Sequence, residues 1–417
     1  MQCSREPLGL AMKILHITPT FQHPKVRGSH RYYYFIRELA QRHEITLLTL
    51  ERSPIAPEAR QEVTTYTKRL FTFPLNDASR FAVANLARNV PHIGPQVVRR
   101  LDLRAAIRQM KACFSKVVRQ DSFDLILLHG RACFSVIENW QGLPTVADIC
   151  DADSLRVRTK MEYANPALSL ILRLQHLQVR RVEKKIAQYT PHLIFISERD
   201  RASVLGANGQ AKVIPNGIDL AYWTRRSHNP QPNCLIFTGV MDYPPNEDAA
   251  LYLIDHILPL VRPLVPGLQI IIAGRNPTLR LLNRAQLHPE VVVTGFVEDM
   301  RDYLEKAALF VAPLRIASGT QNKIQEALAM EVPVITTPIV ADGLRITKGE
   351  EPPLYVVNGA AAFADQIRYL LNQPEERTRL AQAGRSFVSQ HFVWRQSAAQ
   401  LEEILQEAVV SERRRRG

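Results

Sequence analysis

The chain has 417 residues, of which 46% are hydrophobic and 22% are charged. These proportions exclude wholesale disorder, and the length exceeds what a single hydrophobic core usually organises. The net charge is +13, and it comes from residues 1–212, which hold 32 Lys and Arg against 18 Asp and Glu. A basic half of this kind indicates an anionic partner.

Cysteine usage and hydropathy bound the compartment. The five cysteines are widely separated and show neither zinc-site nor redox-motif spacing, which indicates a reducing compartment. No run approaches the roughly 20 apolar residues of a membrane span. Residues 1–11 lack the apolar core of a signal peptide, and we expect them to be a disordered leader or the product of an upstream start codon. The expected location is the cytoplasm.

Short apolar runs alternate with helical patterns along the whole chain. In the first half the predicted strands are 13–17, 45–50, 125–128, 145–149 and 193–196, with helices at 30–42, 104–118 and 154–188. In the second half they are 234–238, 269–273, 291–294, 309–312, 334–336 and 354–357, with helices at 247–264, 322–330, 360–372 and 374–388. This alternation predicts an α/β fold with two doubly wound, Rossmann-like sheets facing each other across a cleft.

Turn-forming residues at 215–217 and 229–233 interrupt the pattern near mid-chain. We therefore expect an N-terminal domain over residues 12–212 and a C-terminal domain over residues 213–390. The closing Arg413–Arg416 run is predicted to be a disordered tail.

The most specific pattern spans residues 313–344. A strand runs into the small-residue loop 317–320, and a helix follows from about Gln321. Loop amides and a helix N-terminus form an anion site suited to a diphosphate. Lys323 is placed to neutralise phosphate charge, and Glu326, one turn deeper, to accept hydrogen bonds from ribose hydroxyls. The alternative is a surface ion pair between these two side chains.

This stretch resembles the donor motif of glycosyltransferase family 4, which contains retaining enzymes of the GT-B fold. The bacterial branch with a Gly-Thr-x-x-Lys-x-x-Glu loop, associated with exopolysaccharide synthesis, is the most similar. The resemblance implies sugar transfer from a nucleoside diphosphate sugar to a lipid-linked or saccharide acceptor, without metal or other cofactor. It also implies that residues 391–410 form a helix crossing back to the first domain.

The resemblance implies particular site residues. Lys323 and the backbone of Ser318, Gly319 and Thr320 would hold the diphosphate, and Glu326 would bind the ribose. Other matching donor-side positions are Gly239, Arg275, Gly295 and Phe296, the last two bordering the base. Two departures stand out: Ser318 replaces a glutamate that normally contacts the sugar, and Val240 replaces an arginine. Phosphate neutralisation would then depend on Lys323, helped by Arg275 or Arg315.

Acceptor-side candidates follow the strands of the first half. The resemblance places Gly28 and Arg31 in an acceptor loop, the alternative being a basic surface loop. Asp151 is expected to orient or deprotonate the acceptor hydroxyl, or to shield positive charge on the sugar ring. The alternative role for Asp153 or Ser154 is helix capping. His129 ends a neighbouring strand and is either an acceptor contact or a solvated side chain.

Two further expectations concern metals and partners. Asp151-Ala152-Asp153 resembles a metal-binding pair, but the sequence nearby offers no further oxygen ligands, so no metal site is expected. Residues 155–188 combine basic and apolar side chains, which favours peripheral attachment to an anionic membrane, on the inner face of the cytoplasmic membrane. The competing functions are a non-enzymatic nucleic-acid-binding protein, for which no recognised motif is found, and a GT-B sugar-nucleotide epimerase.

Overall fold

The structure is a computed structural model that describes residues 11–24, 30–75, 94–227, 230–317, 319–345 and 351–416. Within these ranges the chain forms two parallel β-sheets, of seven and six strands, each flanked by helices. The predicted fold class, two doubly wound α/β domains, is therefore confirmed.

The first sheet has the strand order β3-β2-β1-β4-β5-β6-β7. Its central strands are apolar on both faces, because helices cover both sides. Ile14 of the first strand pairs with Ile45 on one side and with Leu125 on the other. The strands are β1 Lys13–Thr18, β2 Glu44–Glu51, β3 Arg69–Pro74, β4 Leu125–His129, β5 Thr145–Cys150, β6 His192–Phe195 and β7 Lys212–Val213.

Seven α-helices accompany this sheet among the described residues. They are α1 Arg31–Leu39, α2 Pro57–Thr65, α3 Gly94–Gln120, α4 Phe134–Ile137, α5 Asp153–Glu162, α6 Pro166–Tyr189 and α7 Glu198–Leu205. A short 3₁₀ turn, Arg131–Cys133, precedes α4.

The prediction of one helix over residues 154–188 is wrong in one respect, because the helix is interrupted between α5 and α6. Pro166 occupies the first turn of α6, where its missing N–H is harmless, whereas inside a continuous helix it would remove a hydrogen bond. The side chain of Asn165 accepts a hydrogen bond from the Leu168 N–H at 2.9 Å and caps the new helix.

The second sheet has the order β10-β9-β8-β11-β12-β13. Its strands are β8 Cys234–Thr238, β9 Gln269–Ala273, β10 Val291–Gly295, β11 Leu309–Ala312, β12 Val334–Thr336 and β13 Tyr355–Val356. The helices around it are α8 Pro244–Tyr252, which continues through a π turn Leu253–Ile257 into α9 Leu258–Val261, then α10 Leu279–Ala285, α11 Arg301–Leu304, α12 Asn322–Ala329, α13 Pro338–Asp342, α14 Ala360–Leu371 and α15 Pro374–His391.

Each sheet with its helices forms one unit. The chain passes from the first unit to the second and later returns, and these two crossings lie next to each other. The Ile218 N–H donates to the Phe392 carbonyl at 2.7 Å, so the outgoing and returning segments run side by side. The last helix, α16 Trp394–Arg416, then packs its apolar face on the first unit. The Trp394 ring stacks on Tyr34 with centroids 4.7 Å apart.

The predicted disordered tail is wrong, because α16 remains helical through the terminal arginines. Arg416 donates to the Gly142 carbonyl at 2.9 Å, which ties the helix end to the first unit. Glu412, one turn earlier, accepts a second hydrogen bond from the same guanidinium at 2.7 Å.

Candidate active site

The loop that follows β11 presses against the first unit. Gly319 has φ +59°, and a Cβ at this position would lie 2.8 Å from Asp151 Oδ1 and 2.9 Å from Ile196 Cδ1. A side chain is therefore excluded both by conformation and by space. Thr320 is buried and donates to the Gly343 carbonyl at 3.2 Å, fixing the loop before α12.

Lys323 and Glu326 lie in the first turns of α12, and both are half-buried. The Lys323 ammonium donates to Asn246 Oδ1 and lies 4.8 Å from the centre of the Phe237 ring. It therefore binds an amide across the cleft floor, and the surface ion pair with Glu326 considered above is wrong.

Burial shifts the pKa values of both Lys323 and Glu326 in the direction that favours their neutral forms. Desolvation lowers the pKa of Lys323 to about 7, although Glu326 opposes the shift. Desolvation likewise raises the pKa of Glu326 to about 7, against the effect of Lys323. An anion placed beside Lys323 would favour its charged form, so the site is electrostatically suited to a phosphate group.

Three glycine-bearing turns form the floor beside Lys323. The Gly239 N–H donates to Ala273 O at 3.0 Å, and the Gly274 N–H donates to Gly295 O at 3.2 Å. A Cβ on Gly274 would lie 1.7 Å from Gly239 O, and one on Gly239 would lie 2.7 Å from Asn246 Nδ2. The turns after β8, β9 and β10 are thus in mutual contact.

Asn246, in the first turn of α8, is a site residue that the sequence analysis missed. It is buried, accepts from Lys323 and donates to the Val240 carbonyl at 2.9 Å. No motif marks it, because its role depends on the approach of α8 to α12.

A cavity of about 680 Å³ lies between the units at this point. Arg275, half-buried, and Phe296, 57% exposed, line it next to Val297. Arg315 does not help here, because its guanidinium pairs with Asp248 at 3.0 Å, which corrects the expectation that it assists Lys323. The cavity is lined by Asp151, Arg156, Lys160, Thr238, Gly239, Val240, Tyr243, Asn246, Gly274, Arg275, Phe296, Val297, Met300, Thr320, Gln321, Asn322, Lys323 and Glu326.

Asp151 faces this cavity from the first unit. It follows β5 and the left-handed residue Cys150, whose φ is +62°. Its carboxyl is open to the cleft but flanked by protein. The surrounding protein desolvates the carboxyl, which is the largest cause of its raised pKa, and the negative charge of Asp200 is the second. Together they raise the pKa of Asp151 to about 6. At neutral pH most Asp151 side chains are ionised, with a basicity well above that of an ordinary aspartate.

Capping does not explain the neighbouring residues. Asp153 pairs with Arg131 at 2.7 Å and with Arg156. The backbone N–H of Ser154, in the first turn of α5, donates to Glu183 Oε1 at 3.0 Å, so Glu183 caps this helix. The predicted capping role of Asp153 or Ser154 is therefore wrong.

Arg31 and His129 do not reach the cleft surface. Arg31 is 1% exposed and pairs with Asp148 at 2.7 Å, and the same carboxylate lies 2.9 Å from His129, which is fully buried. Burial alone would raise the pKa of Asp148, yet Arg31 and His129 hold it well below its usual range. Direct acceptor contact by Arg31 or His129 is thus wrong for this structure, since both belong to a buried network.

That network reaches the second unit through the connecting segment. Arg31 donates to Asn216 Oδ1 at 3.1 Å, and Asn216 donates to Asn322, the first residue of α12, at 3.4 Å. Through Asn216, Arg31 therefore connects the core of the first unit to α12. The predictions for Gly28 and Ser318 lie outside the described residues.

Solved structures share this architecture. HepE of Anabaena, in complex with UDP and glucose, is 14% identical with a TM-score of 0.62, over 95% of this chain and all of that chain. Sucrose-phosphate synthase of Thermosynechococcus elongatus is 17% identical with a TM-score of 0.68, over 96% of this chain and all of that one. The fold is therefore GT-B, with a cleft between two facing parallel sheets.

Sequence comparison gives the family. Models described as "Glycosyltransferase Family 4" and "Glycosyl transferases group 1" match residues 28–222 and 232–373. A glycogen synthase of Mycobacterium tuberculosis is 27% identical over 249 residues, which are 57% of this chain and 59% of that protein. The chain thus spans somewhat over half the length of the curated relatives it matches. It belongs to the group 1 and family 4 glycosyltransferases, which are retaining enzymes.

Proposed function

We propose that this chain transfers a sugar from a nucleoside diphosphate sugar to a lipid-linked or saccharide acceptor, with retention of the anomeric configuration. The observation that carries the proposal is the convergence of Thr320, Lys323 and Glu326 with Gly239, Gly274 and Phe296, from the turns after β8, β9 and β10, around one cavity. Family membership favours this function over nucleic-acid binding.

We propose that the donor lies along α12, with its diphosphate at the N-terminal end of this helix. The loop amides at Gly319 and Thr320, the start of α12 and the Lys323 ammonium would hold the diphosphate, with Arg275 nearby. Glu326, deeper along α12, would bind the ribose. The exposed Phe296 ring would border the base. UDP is the first nucleotide to test, because the HepE structures contain UDP, UDP with glucose, or UDP-glucose.

The difficult step is departure of the diphosphate, on which negative charge develops as the glycosidic bond breaks. Lys323 and the loop amides are preorganised to stabilise this charge. Asp151, opposite them, would accept a hydrogen bond or proton from the acceptor hydroxyl, or shield positive charge on the ring. Closure of the cleft by the two units would exclude water, which limits hydrolysis of the donor.

A second cavity, of about 670 Å³, adjoins Asp151 within the first unit and is the proposed acceptor site. Arg52, Arg131, Arg156 and Lys185 line it together with apolar side chains such as Phe134. This mixture suits an acceptor that carries both an anionic group and an apolar portion. We propose that the protein acts in exopolysaccharide or cell-envelope glycan synthesis.

The first decisive experiment is binding of nucleoside diphosphates. We expect UDP, at about 100 times its Kd, to raise the free energy of unfolding by about 2.7 kcal/mol. Transfer of radiolabel from the matching sugar donor into lipid extracts then tests the reaction. Turnover that needs no acceptor and changes sugar stereochemistry would instead identify an epimerase. A bound UDP lying far from Gly319 and Glu326 in a crystal would reject the site.

Helix α6 supports membrane attachment of the acceptor side. Its stripe 170-174-177-181-184 is exposed and reads Leu, Leu, Leu, Arg, Lys, so an apolar end continues into a basic end. Leu170 is 63% exposed and Leu174 58% exposed. We propose that this stripe docks on anionic lipid. Within the described ranges, no helix has the length and hydropathy of a membrane span.

Vesicle flotation tests this attachment. The double variant Leu174→Ser and Leu177→Ser should lose binding to vesicles that contain phosphatidylglycerol. Leu279→Ser, at a residue 78% exposed on the second unit, is the matched control and should bind as the wild type does. Equal flotation of both variants would contradict the docking surface. A dimer that the double variant dissociates would show that a second copy of the chain covers the stripe instead.

A further inference from the structure

The first turn of α7 lies beside both halves of the site. Asp200 in this turn is fully buried, and its Oδ1 accepts a hydrogen bond from the Ala152 N–H at 2.9 Å. Ala152 directly follows Asp151, so Asp200 holds the turn that carries the proposed catalytic carboxyl. Ser197 donates to the other carboxylate oxygen of Asp200 and fixes its orientation.

The same turn also meets the loop between β11 and α12 of the second unit, which is proposed to hold the diphosphate and is called the donor loop below. A Cβ on Gly319 would lie 3.5 Å from Asp200 Oδ2 and 2.8 Å from Asp151 Oδ1. Gly319 is therefore packed between two carboxyl groups. The neighbouring Arg199 donates to the Ala317 carbonyl, a contact that joins α7 to the start of the donor loop.

We propose that Asp200 is a positioning residue for glycosyl transfer, which fixes the Asp151 turn against the donor loop and keeps a second negative charge beside the Asp151 carboxyl. The inference rests on the role proposed above for Asp151. Asp200 itself touches neither proposed substrate cavity. It acts on the reaction only through Asp151 and Gly319.

Several charged groups face Asp151, and their effects differ in sign. Desolvation raises its pKa most, and Asp200 from α7 and Asp153 from α5 raise it further. Arg156 from α5 and Arg31 from α1 lower it. Lys323 of the second unit lines the same cavity. Because Asp200 is the largest of the charged contributors, removing its charge should make Asp151 a weaker base.

The test is the isosteric variant Asp200→Asn, which keeps an oxygen acceptor for the Ala152 N–H but removes the charge. Carbon-13 labelling of aspartate carboxyls, with Asp151→Asn to identify the signal, measures the pKa of Asp151 directly. We expect Asp200→Asn to lower this pKa by about one unit. The control is Glu198→Gln, the same chemical change on an exposed residue of the same helix, which should leave the pKa unchanged.

The acidic limb of the pH profile for UDP-glucose turnover should move down with the pKa in Asp200→Asn. If that variant does not fold, Asp200→Ser, which is smaller and also neutral, carries the same expectation. An unchanged Asp151 pKa in the folded variant would overturn the inference and leave the proposed function intact. Wild-type turnover in Asp151→Asn would instead overturn the role of Asp151, whatever the titration shows.

Discussion

Lys323 gives the sharpest test of the proposed donor site, because burial alters its charge before any ligand binds. With a pKa of about 7 in the free protein, about half of the Lys323 side chains are protonated at pH 7 and about 1% at pH 9. A bound diphosphate would restore the ordinary ammonium. UDP therefore has to recruit a proton as the pH rises, and its affinity should fall about 50-fold from pH 7 to pH 9.

Glu326 changes this estimate only slightly. Its carboxylate, with a pKa of about 7, goes from about half ionised to fully ionised over the same range, which strengthens a bond from ribose at most about twofold. The net fall in UDP affinity is then about 25-fold. Above pH 7 the β-phosphate of UDP is itself ionised, so the dependence reports the protein.

Titration calorimetry in buffers of different ionisation enthalpy measures both the affinity and the proton uptake. Lys323→Met should lower UDP affinity by about 2 kcal/mol at pH 7, roughly 30-fold, and abolish the proton uptake at pH 8. Lys306→Met, a change of surface charge beside Tyr303 in the same unit, is the control and should behave as the wild type. Wild-type affinity that stays flat from pH 7 to pH 9, without proton uptake, would refute the reasoning.

Three further substitutions test packing, positioning and the buried network. Gly319→Ala should reduce transfer by about 10²-fold because its Cβ would displace the donor loop, whereas Gly267→Ala, at φ +71° with open space around it, should leave kcat/KM unchanged. Asn246→Ala should weaken UDP binding about tenfold, measured by calorimetry, and unchanged affinity would remove its role in placing Lys323. Asp148→Asn should lower the free energy of unfolding by about 3 kcal/mol in urea, because it leaves the buried Arg31 without its partner, and an unchanged midpoint would contradict that account.

The sheets were predictable because most of their strands are short apolar runs with helical patterns between them. The edge strand β3, Arg69–Pro74, was missed, since its sequence RLFTFP is only half-buried and lacks a clear apolar run. The edge strand β7 is too short to leave a pattern. In both cases burial, which produces the pattern, is incomplete at the sheet edge.

The residues proposed to bind the donor could be selected from the sequence because they lie close together in it. Lys323 and Glu326 follow one glycine loop on one short helix, so local spacing already brings them together. Asn246 and Asp200 could not be found in this way. Each acts on a partner that lies far along the chain, 77 residues away for Lys323 and 48 for Ala152, and only the fold shows the contact.

Strand β5 and the residue after it show why two aspartates near one strand end can have different environments. Asp148 is within the ladder of β5 and points into the core, where Arg31 and His129 neutralise it. The register then shifts at Cys150, whose left-handed backbone turns the chain outwards. A β-branched or bulky residue would resist that conformation. At Cys150 the left-handed backbone costs about 1–3 kcal/mol, and the hydrogen bonds of Cys150 with Tyr32 and Asp148 compensate for this cost. Asp151 therefore reaches the cleft because the strand is distorted one residue before it, and a pattern of strand ends alone cannot distinguish the two aspartates.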